Sequence, residues 1–437
     1  MKRGDMMESI WRKTTAMPQF EHLRGDRKTD VLIIGGGIAG LLCAYHLRRA
    51  GVDCLLVEAK KICGGVTGDT TAKLTSQHGL CYHRIAKRYS MEAAGLYLEA
   101  NERALAKYRR LCGKIDCGFE ERDNYVYTLR DREGMARELT TLHRLRFQAD
   151  FAEELPLPMK TSGAVRFPRQ AQFHPLQFLG ELSKELPICE HTKVLELMPK
   201  GAITEHGRVT AEKIVIATHF PILNKHGLYF MKQYQHRSYV LSLEQAELPH
   251  GMYVDDDEKG LSFRSYGKRL LLGGGGHRTG KQGGNWTELR RFAAVNYPTA
   301  RETAHWAAQD CMTLDGIPYI GRYAGSVENV YVATGFNKWG MTSAMVAGEL
   351  LRDLILEREN PYASVFSPQR SMLHPKLMVH MGETALSMVT PTVPRCPHMG
   401  CALKYNRAEH SWDCPCHGSR FSDEGELLDG PATDDRR

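Results

Sequence analysis

Asp30-Val31-Leu32-Ile33-Ile34 is a short apolar run of the kind that forms a buried parallel strand. It leads into Gly35-Gly36-Gly37-Ile38-Ala39-Gly40, after which Ile38, Leu41, Leu42 and Tyr45 recur at helical spacing and Gly51 closes the helix. A second strand, Asp53-Cys54-Leu55-Leu56-Val57, ends at Glu58. Ile85, Tyr89, Ala93, Tyr97, Ala100, Ala104, Tyr108 and Leu111 then predict helix over residues 82–118. A strand at Tyr125–Leu129, a helix over Glu133–Phe147 and a helix from Phe173-His174-Pro175-Leu176 to Leu186 follow. Residues Arg237–Leu243 alternate as a strand, and Leu261–Leu272 reads as a hairpin turning at Tyr266-Gly267. It runs into Gly273-Gly274-Gly275-Gly276, where a close backbone approach or a loop is expected, because no helix follows closely enough to cradle phosphate. Near the end, Asn329–Thr342 predicts strand, loop and helix, the helix keeping Met341, Ala344, Met345, Gly348, Leu351 and Ile355 on one face. It is expected to stop near Asn360-Pro361, and the interval to Cys396 reads mostly as linker.

The first strand, turn and helix carry G-x-G-x-x-G, with the acid Glu58 at the end of the next strand. Gly35 permits the tight turn, Gly37 lets a pyrophosphate approach the backbone, and Gly40 lets the helix pack on the sheet. The helix N-terminus, at Ile38 and Ala39, faces the phosphates, and Glu58 accepts from ribose hydroxyls. The competing reading is a glycine-rich turn in a nonbinding α/β sheet.

The C-terminal segment holds a second constellation: Cys396-Pro397-His398, followed further on by Cys414-Pro415-Cys416-His417. One Cys and one His from each of two loops is the ligand set of a Rieske 2Fe-2S centre. Neutral imidazole in place of anionic thiolate leaves such a cluster less negative and easier to reduce. Two Cys and two His also suit a structural zinc, and a decayed site is a third reading.

Cys-Pro-His-Met-Gly-Cys, Cys-Pro-Cys-His-Gly-Ser and Gly430-Pro431-Ala432 resemble Rieske proteins of the respiratory and photosynthetic type. The resemblance implies that Cys396 and Cys414 bind one iron, that His398 and His417 bind the other, and that Cys401 and Cys416 form a disulfide. It also implies a hydrogen bond from Ser419 to a bridging sulfide. Phe421 stands where high-potential members have tyrosine, so a lower potential is expected. A complete Rieske domain has several strands before its first cluster loop, and here much of that base is missing.

The body resembles FAD enzymes of the D-amino-acid oxidase type over residues 28–360. The carriers are the loop Cys63–Lys73, the strand Ile214–His219, and the segment Asn329–Thr342. The close match is the subgroup with a C-terminal Rieske domain. The resemblance implies an α/β fold: a Rossmann-like FAD-binding domain, an inserted antiparallel-sheet substrate domain, and a small all-β Rieske cluster-binding tail. The implied boundaries are an N-terminal arm at 1–27 and an FAD-binding domain at 28–120, 190–225 and 312–360. The substrate domain takes 121–189 and 226–311, the linker 361–395, and the cluster-binding segment 396–437. The implied FAD contacts are Gly35, Gly37, Ile38, Ala39, Gly40, Glu58, Ala59, Thr70, Thr71, Ala72, Thr218, Gly335, Gly340, Met341 and Thr342.

Composition changes this picture little. The 437 residues are 42% hydrophobic and 25% charged, enough for two or three domains. No apolar run approaches the ~18 residues of a membrane span. Without a secretory apolar segment at the N-terminus, the expected setting is the cytoplasm. Eight of the twelve cysteines are scattered through the body and read as core or strand residues rather than a disulfide framework. The net charge is +7, yet residues 396–437 carry five basic and eight acidic side chains. That asymmetry suits an acidic tail docking on a basic body, with solvated surface charge as the plainer alternative. Basic residues are spread rather than packed with stacking aromatics, which argues against nucleic-acid binding.

Catalysis is less legible. Arg264 is a candidate clamp for a substrate carboxylate, against a solvated strand charge. His277 is a candidate base or flavin neighbour, against a plain loop histidine. Lys338 and Trp339 sit where the family places residues near the flavin. The expected function is an oxidoreductase moving electrons between a small organic substrate, such as an amine or amino acid, FAD and a Rieske 2Fe-2S cluster. The external acceptor or donor would be an electron-transfer protein or a quinone. An oxidase needs no cluster, which favours a dehydrogenase or reductase. The rivals are a plain flavin oxidase with a vestigial or zinc-binding tail, and a non-enzymatic redox sensor or electron carrier.

Overall fold

A computed structural model describes residues 7–222, 226–283, 285–325, 327–391 and 394–436. The described strands form three sheets. At the centre of the first, Arg27–Ile34 pairs in parallel with Gly207–Ile216 on one side and Cys54–Val57 on the other. Val327–Thr334 and Ile188–Cys189 extend it in parallel, and Tyr319–Ala324 closes one edge antiparallel. Val31, Leu32, Ile33 and Ile34 are all buried, as a strand covered on both faces requires. Helices Ile38–Arg49 and Gly340–Ile355 pack against each other. The contact is tight at Gly348, where a Cβ would lie 2.9 Å from the Leu42 carbonyl oxygen.

The second sheet is largely antiparallel and inserted between segments of the first. Its order runs from Arg301–Thr313 through Gln233–Glu244, Arg269–Arg278, Ser262–Tyr266 and Met252–Asp255 to Glu120–Tyr127 and Ala164–Gln172. Lys73–Leu74 completes it. The third sheet is a four-strand antiparallel meander: Lys404–Asn406, Ser411–Asp413, Arg420–Phe421 and Leu427–Asp429. The α/β class with an inserted antiparallel sheet and a small all-β tail is therefore the observed architecture. Among the described residues no helix is long and apolar enough to cross a membrane.

Several elements differ from the sequence expectation. The helix expected over 82–118 is two, Tyr82–Arg88 and Met91–Cys112, because Ser90 is extended and accepts from the Ala93 N–H as a fresh N-cap. The glycines Gly273–Gly276 continue the strand Arg269–Arg278 rather than forming a loop. Close approach explains them: a Cβ on Gly275, at φ +62°, would lie 2.6 Å from the Asn285 carbonyl oxygen. The stretch read as linker contains the helix Pro375–Val389, capped by the His374 ring accepting from the Lys376 N–H. Ile188–Cys189, placed in the substrate domain by the sequence reading, pairs with Cys54–Val57 in the cofactor sheet.

The N-terminal arm is tied to the loop Cys63–Ala72. Ser9 Oγ donates to the Gly68 carbonyl, and Arg12 donates to the Gly64 carbonyl and to Asp69. Trp11 is fully buried, edge-on to His174 and Tyr266, and its indole N–H donates to the Thr70 carbonyl at 2.6 Å. Trp11→Ala removes both the ring and that donor. We expect a loss of about 3–5 kcal/mol in equilibrium unfolding; a loss below about 1 kcal/mol would show that the arm is not part of the core.

Candidate functional site

The glycine-rich turn is shaped by contact. Gly35 has φ +109°, and a Cβ there would lie 2.6 Å from the Ala217 carbonyl oxygen. A Cβ on Gly40 would overlap the Gly35 carbonyl oxygen, so only glycine lets the helix start so close to the strand. On Gly37 the nearest atom to such a Cβ is Thr67 Oγ1 at 3.3 Å, so this residue opens on a cleft. The Ile38 N–H donates to the same Thr67 hydroxyl. Glu58 accepts from the Gly36 N–H at 2.7 Å and the Lys60 N–H at 2.8 Å. That leaves about two of its four acceptor positions for a ribose. The cleft, about 720 Å³, is lined by Gly35, Gly37, Ile38, Ala39, Glu58 and Ala59, with Thr218 and Gly335 further along. An open glycine, a helix N-terminus and a partly used carboxylate are what a dinucleotide needs, so these residues fit FAD.

A second cavity, about 960 Å³, continues from the first through Ile38, Val66, Thr67, Asp69, His219 and Phe336. Thr70, Thr71, Lys338, Trp339, Gly340 and Met341 line it. The loop before the helix Gly340–Ile355 is held by Asn337, whose Oδ1 accepts from the Thr313 N–H at 2.7 Å. Trp339 stacks on His78 with centroids 5.1 Å apart and planes at 13°. His78 is kept neutral: desolvation lowers it to about 3, while its ring contacts Tyr97 Oη and the Thr75 carbonyl. Desolvation also pushes Lys338 down, opposed by Asp310. Burial raises Asp310, opposed by Lys338 and His219. Lys73 is lowered to about 7 by desolvation and by Arg264.

Two catalytic candidates sit elsewhere. Arg264 is 1% exposed, lines neither cavity, and donates to the Thr71 and Ala72 carbonyls. That geometry speaks against a substrate clamp and makes Arg264 a brace under the Thr70–Ala72 loop. His277 stacks on Tyr239 and contacts Tyr239 Oη at 2.9 Å, beside the C-terminal segment rather than in the larger cavity. Ala72 and Thr342 are buried behind the wall, Thr342 Oγ1 donating to the Thr75 carbonyl. The sequence reading missed His78 and Asp310. Asp310 had a signal: it is the lone carboxylate between Ala304 and Thr313.

The two C-terminal loops are built alike. Gly400 N–H donates to the Cys396 carbonyl and Gly418 N–H to the Cys414 carbonyl, with both glycines at positive φ. Cys396, Cys414 and His417 are buried, and the His398 and His417 rings meet edge-on at 5.0 Å. Cys401 and Cys416 are disulfide-bonded, their sulfurs within 4.8 Å of Cys414. The Cys396 thiol is drawn down to about 7 by a hydrogen bond from Cys414, and the His398 N–H and Ser419 hydroxyl also donate to it. Donors converging on sulfur favour thiolate, the form that binds iron, so two thiols and two imidazoles fit a 2Fe-2S cluster. Phe421 is fully buried in this core.

Residues 30–354 match the family described as FAD dependent oxidoreductase, and residues 376–436 match the Rieske 2Fe-2S domain. The chain belongs to the FAD-dependent oxidoreductase family. It is 33% identical to the putative Rieske 2Fe-2S iron-sulfur protein YhfW of Bacillus subtilis (strain 168), covering 97% of this chain and 96% of that one. It is 23% identical to gamma-glutamylputrescine oxidoreductase of Escherichia coli (strain K12), covering 79% and 88%. Among solved structures, glycine oxidase from Geobacillus kaustophilus has a TM-score of 0.66 at 19% identity, covering 79% of this chain and 99% of that one. L-proline dehydrogenase from P. horikoshii has a TM-score of 0.67 at 16% identity, covering 79% and 98%. These two likenesses concern the fold alone.

The Rieske segment of this FAD-dependent oxidoreductase docks on the outer strands of the inserted sheet. Along Arg301–Thr313, Ala308 and the run from Asp310 to Thr313 line the larger cavity, while Ala307 and Gln309 line the dinucleotide cleft. Gln309 Nε2 donates to the Gly418 carbonyl at 2.9 Å, beside His417. Arg278 donates to the Cys416 carbonyl. Glu409 is buried between Arg237 of the body and Arg420 of the tail, and also accepts from Tyr239 Oη at 3.0 Å. Burial alone would raise the Glu409 carboxyl; Arg237 and Arg420 overcome it and hold it at about 2, below the ordinary 4.5. A depressed folded pKa stabilises the docked state above the unfolded value, and that stability is lost as pH falls through the folded value. Thermal stability of the Rieske segment should therefore decline as pH drops from 4.5 toward 2. Glu409→Gln should flatten that decline relative to the parent; an equal slope in both would remove Glu409 from the docking account.

Proposed function

We propose that the protein oxidises a small amine or amino acid and delivers the electrons singly to an external protein or quinone acceptor. When bound, FAD supplies acceptance of a hydride and the cluster supplies one-electron transfer. The observation that carries this reading is the hydrogen bond from Gln309 to the Gly418 carbonyl. It joins the strand lining the flavin cleft to the cluster loop itself. A flavin oxidase would have no use for that junction, which favours a dehydrogenase. The name of one relative by sequence, gamma-glutamylputrescine oxidoreductase, supports the substrate class.

In this reading Gly35, Gly37, Ile38 and Glu58 hold the dinucleotide, with Cys396, Cys414, His398 and His417 holding the cluster. Trp339, fixed by His78, shapes the substrate end of the larger cavity. Lys338 and Asp310 place opposite charges in that cavity and orient a zwitterionic or cationic substrate. An amine must lose its ammonium proton before hydride can leave its carbon. Lys73 lines the same cavity and, lowered to about 7, accepts that proton at Nζ.

The test is anaerobic addition of a panel of amines and amino acids to the protein loaded with both cofactors. A substrate should bleach the flavin bands and then raise the EPR signal of a reduced Rieske cluster, with electrons passing on to a quinone or carrier protein. Stoichiometric hydrogen peroxide in air with a silent cluster would instead identify an oxidase. A panel that leaves the flavin unbleached would favour a redox sensor.

A further inference from the structure

The dinucleotide cleft has a wall that the FAD-binding fold does not supply. Besides Gly35, Gly37 and Glu58, it is lined by Leu427–Asp434, the last strand and turn of the Rieske segment. Leu195 from the strand Val194–Met198 and Leu428 from the turn lie along this cleft. They are 59% and 43% exposed, among the large apolar side chains the fold leaves uncovered. Such side chains become covered if the flat apolar face of a purine enters between them. The turn is fixed from the body by Lys193, whose Nζ donates to the Thr433 carbonyl at 3.0 Å. From its own side, Arg420 donates to Asp429 at 3.0 Å.

The same turn reaches the cluster ligands through Ser419. Ser419 Oγ accepts from the Ala432 N–H at 3.0 Å, and the Ser419 carbonyl accepts from the Cys414 N–H at 2.8 Å. Loss of the cluster removes the iron bonds between the Cys396 and Cys414 loops, leaving the Cys401–Cys416 disulfide to join them, and loosens the position of Ser419 and of the turn. Emptying the cleft, conversely, uncovers Leu428 and removes support from the turn.

We infer that residues Leu427–Asp434 form part of the FAD site, and that FAD and the 2Fe-2S cluster bind cooperatively through Ser419 and this turn. Each group strengthens retention of the other, because coupling between two binding equilibria is reciprocal. The Rieske segment is then a lid on the dinucleotide as well as an electron carrier.

Binding, not turnover, is the readout. Iron is removed from the full-length protein by anaerobic reduction and chelation, and the FAD dissociation constant is measured by flavin fluorescence with and without the cluster. Removal should weaken FAD binding about 5- to 150-fold. In the reverse arm, FAD-stripped protein should lose iron to a chelator faster than the FAD-bound form. Leu428→Asp places a charge on the turn away from the cluster loops; it should weaken FAD binding, and at an FAD concentration that saturates only the parent it should lose iron to a chelator faster than the parent. An FAD affinity unchanged by cluster removal, or unchanged in Leu428→Asp, would overturn the proposal.

Discussion

A carboxylate shared by two guanidinium groups at a buried boundary holds the C-terminal segment on the body. Glu409 belongs to the C-terminal meander, Arg237 to the inserted sheet, and Arg420 again to the meander. Water cannot take over from either partner, because the Arg237 and Glu409 side chains are only 5% and 7% exposed. Removing one member of such a pair leaves a buried charge unmatched, at a cost of about 3–5 kcal/mol. The small sheet has four short strands and a modest core of its own around Cys401, Leu403, Cys414 and Phe421. Much of what a larger Rieske base would provide comes instead from Arg237, Arg278 and Gln309 of the body.

On the docked strand, neighbouring residues make different contacts. Arg301–Thr313 turns Asp310 toward the larger cavity and Gln309 toward the cluster loop, so adjacent residues serve opposite sides of a single layer. Of the acidic residues in 396–437, Glu409 and Asp429 meet Arg237 of the body; separately, Glu383 of the helix Pro375–Val389 meets Arg278 and Lys281.

Much of this was legible before any coordinates. The G-x-G-x-x-G turn and the two Cys/His loops are local motifs, whose geometry is set within a few residues by glycine sterics and backbone hydrogen bonds. Gly40 against Gly35, and Gly418 against Cys414, show this directly. The helix Pro375–Val389, which leaves Met378, Val379, Leu386 and Val389 exposed, was read as linker. Arg264 was misjudged because a strand charge and a buried loop brace have the same one-letter signature; only the Thr71 and Ala72 carbonyls distinguish them. His78 escaped notice because its stacking partner, Trp339, lies in a distant part of the sequence. Such long-range pairings, like Glu409 with Arg237, have no local pattern to announce them.

The central claim is that flavin and cluster exchange electrons within one chain, across a fixed junction. The direct measurement is flash photoreduction of the flavin in anaerobic protein, with the reduced cluster followed by absorbance or EPR over a wide range of protein concentration. A first-order rise in reduced cluster whose rate constant is independent of concentration is the predicted result. A rate that scales with protein concentration, or a cluster that never takes up the electron, would contradict the account.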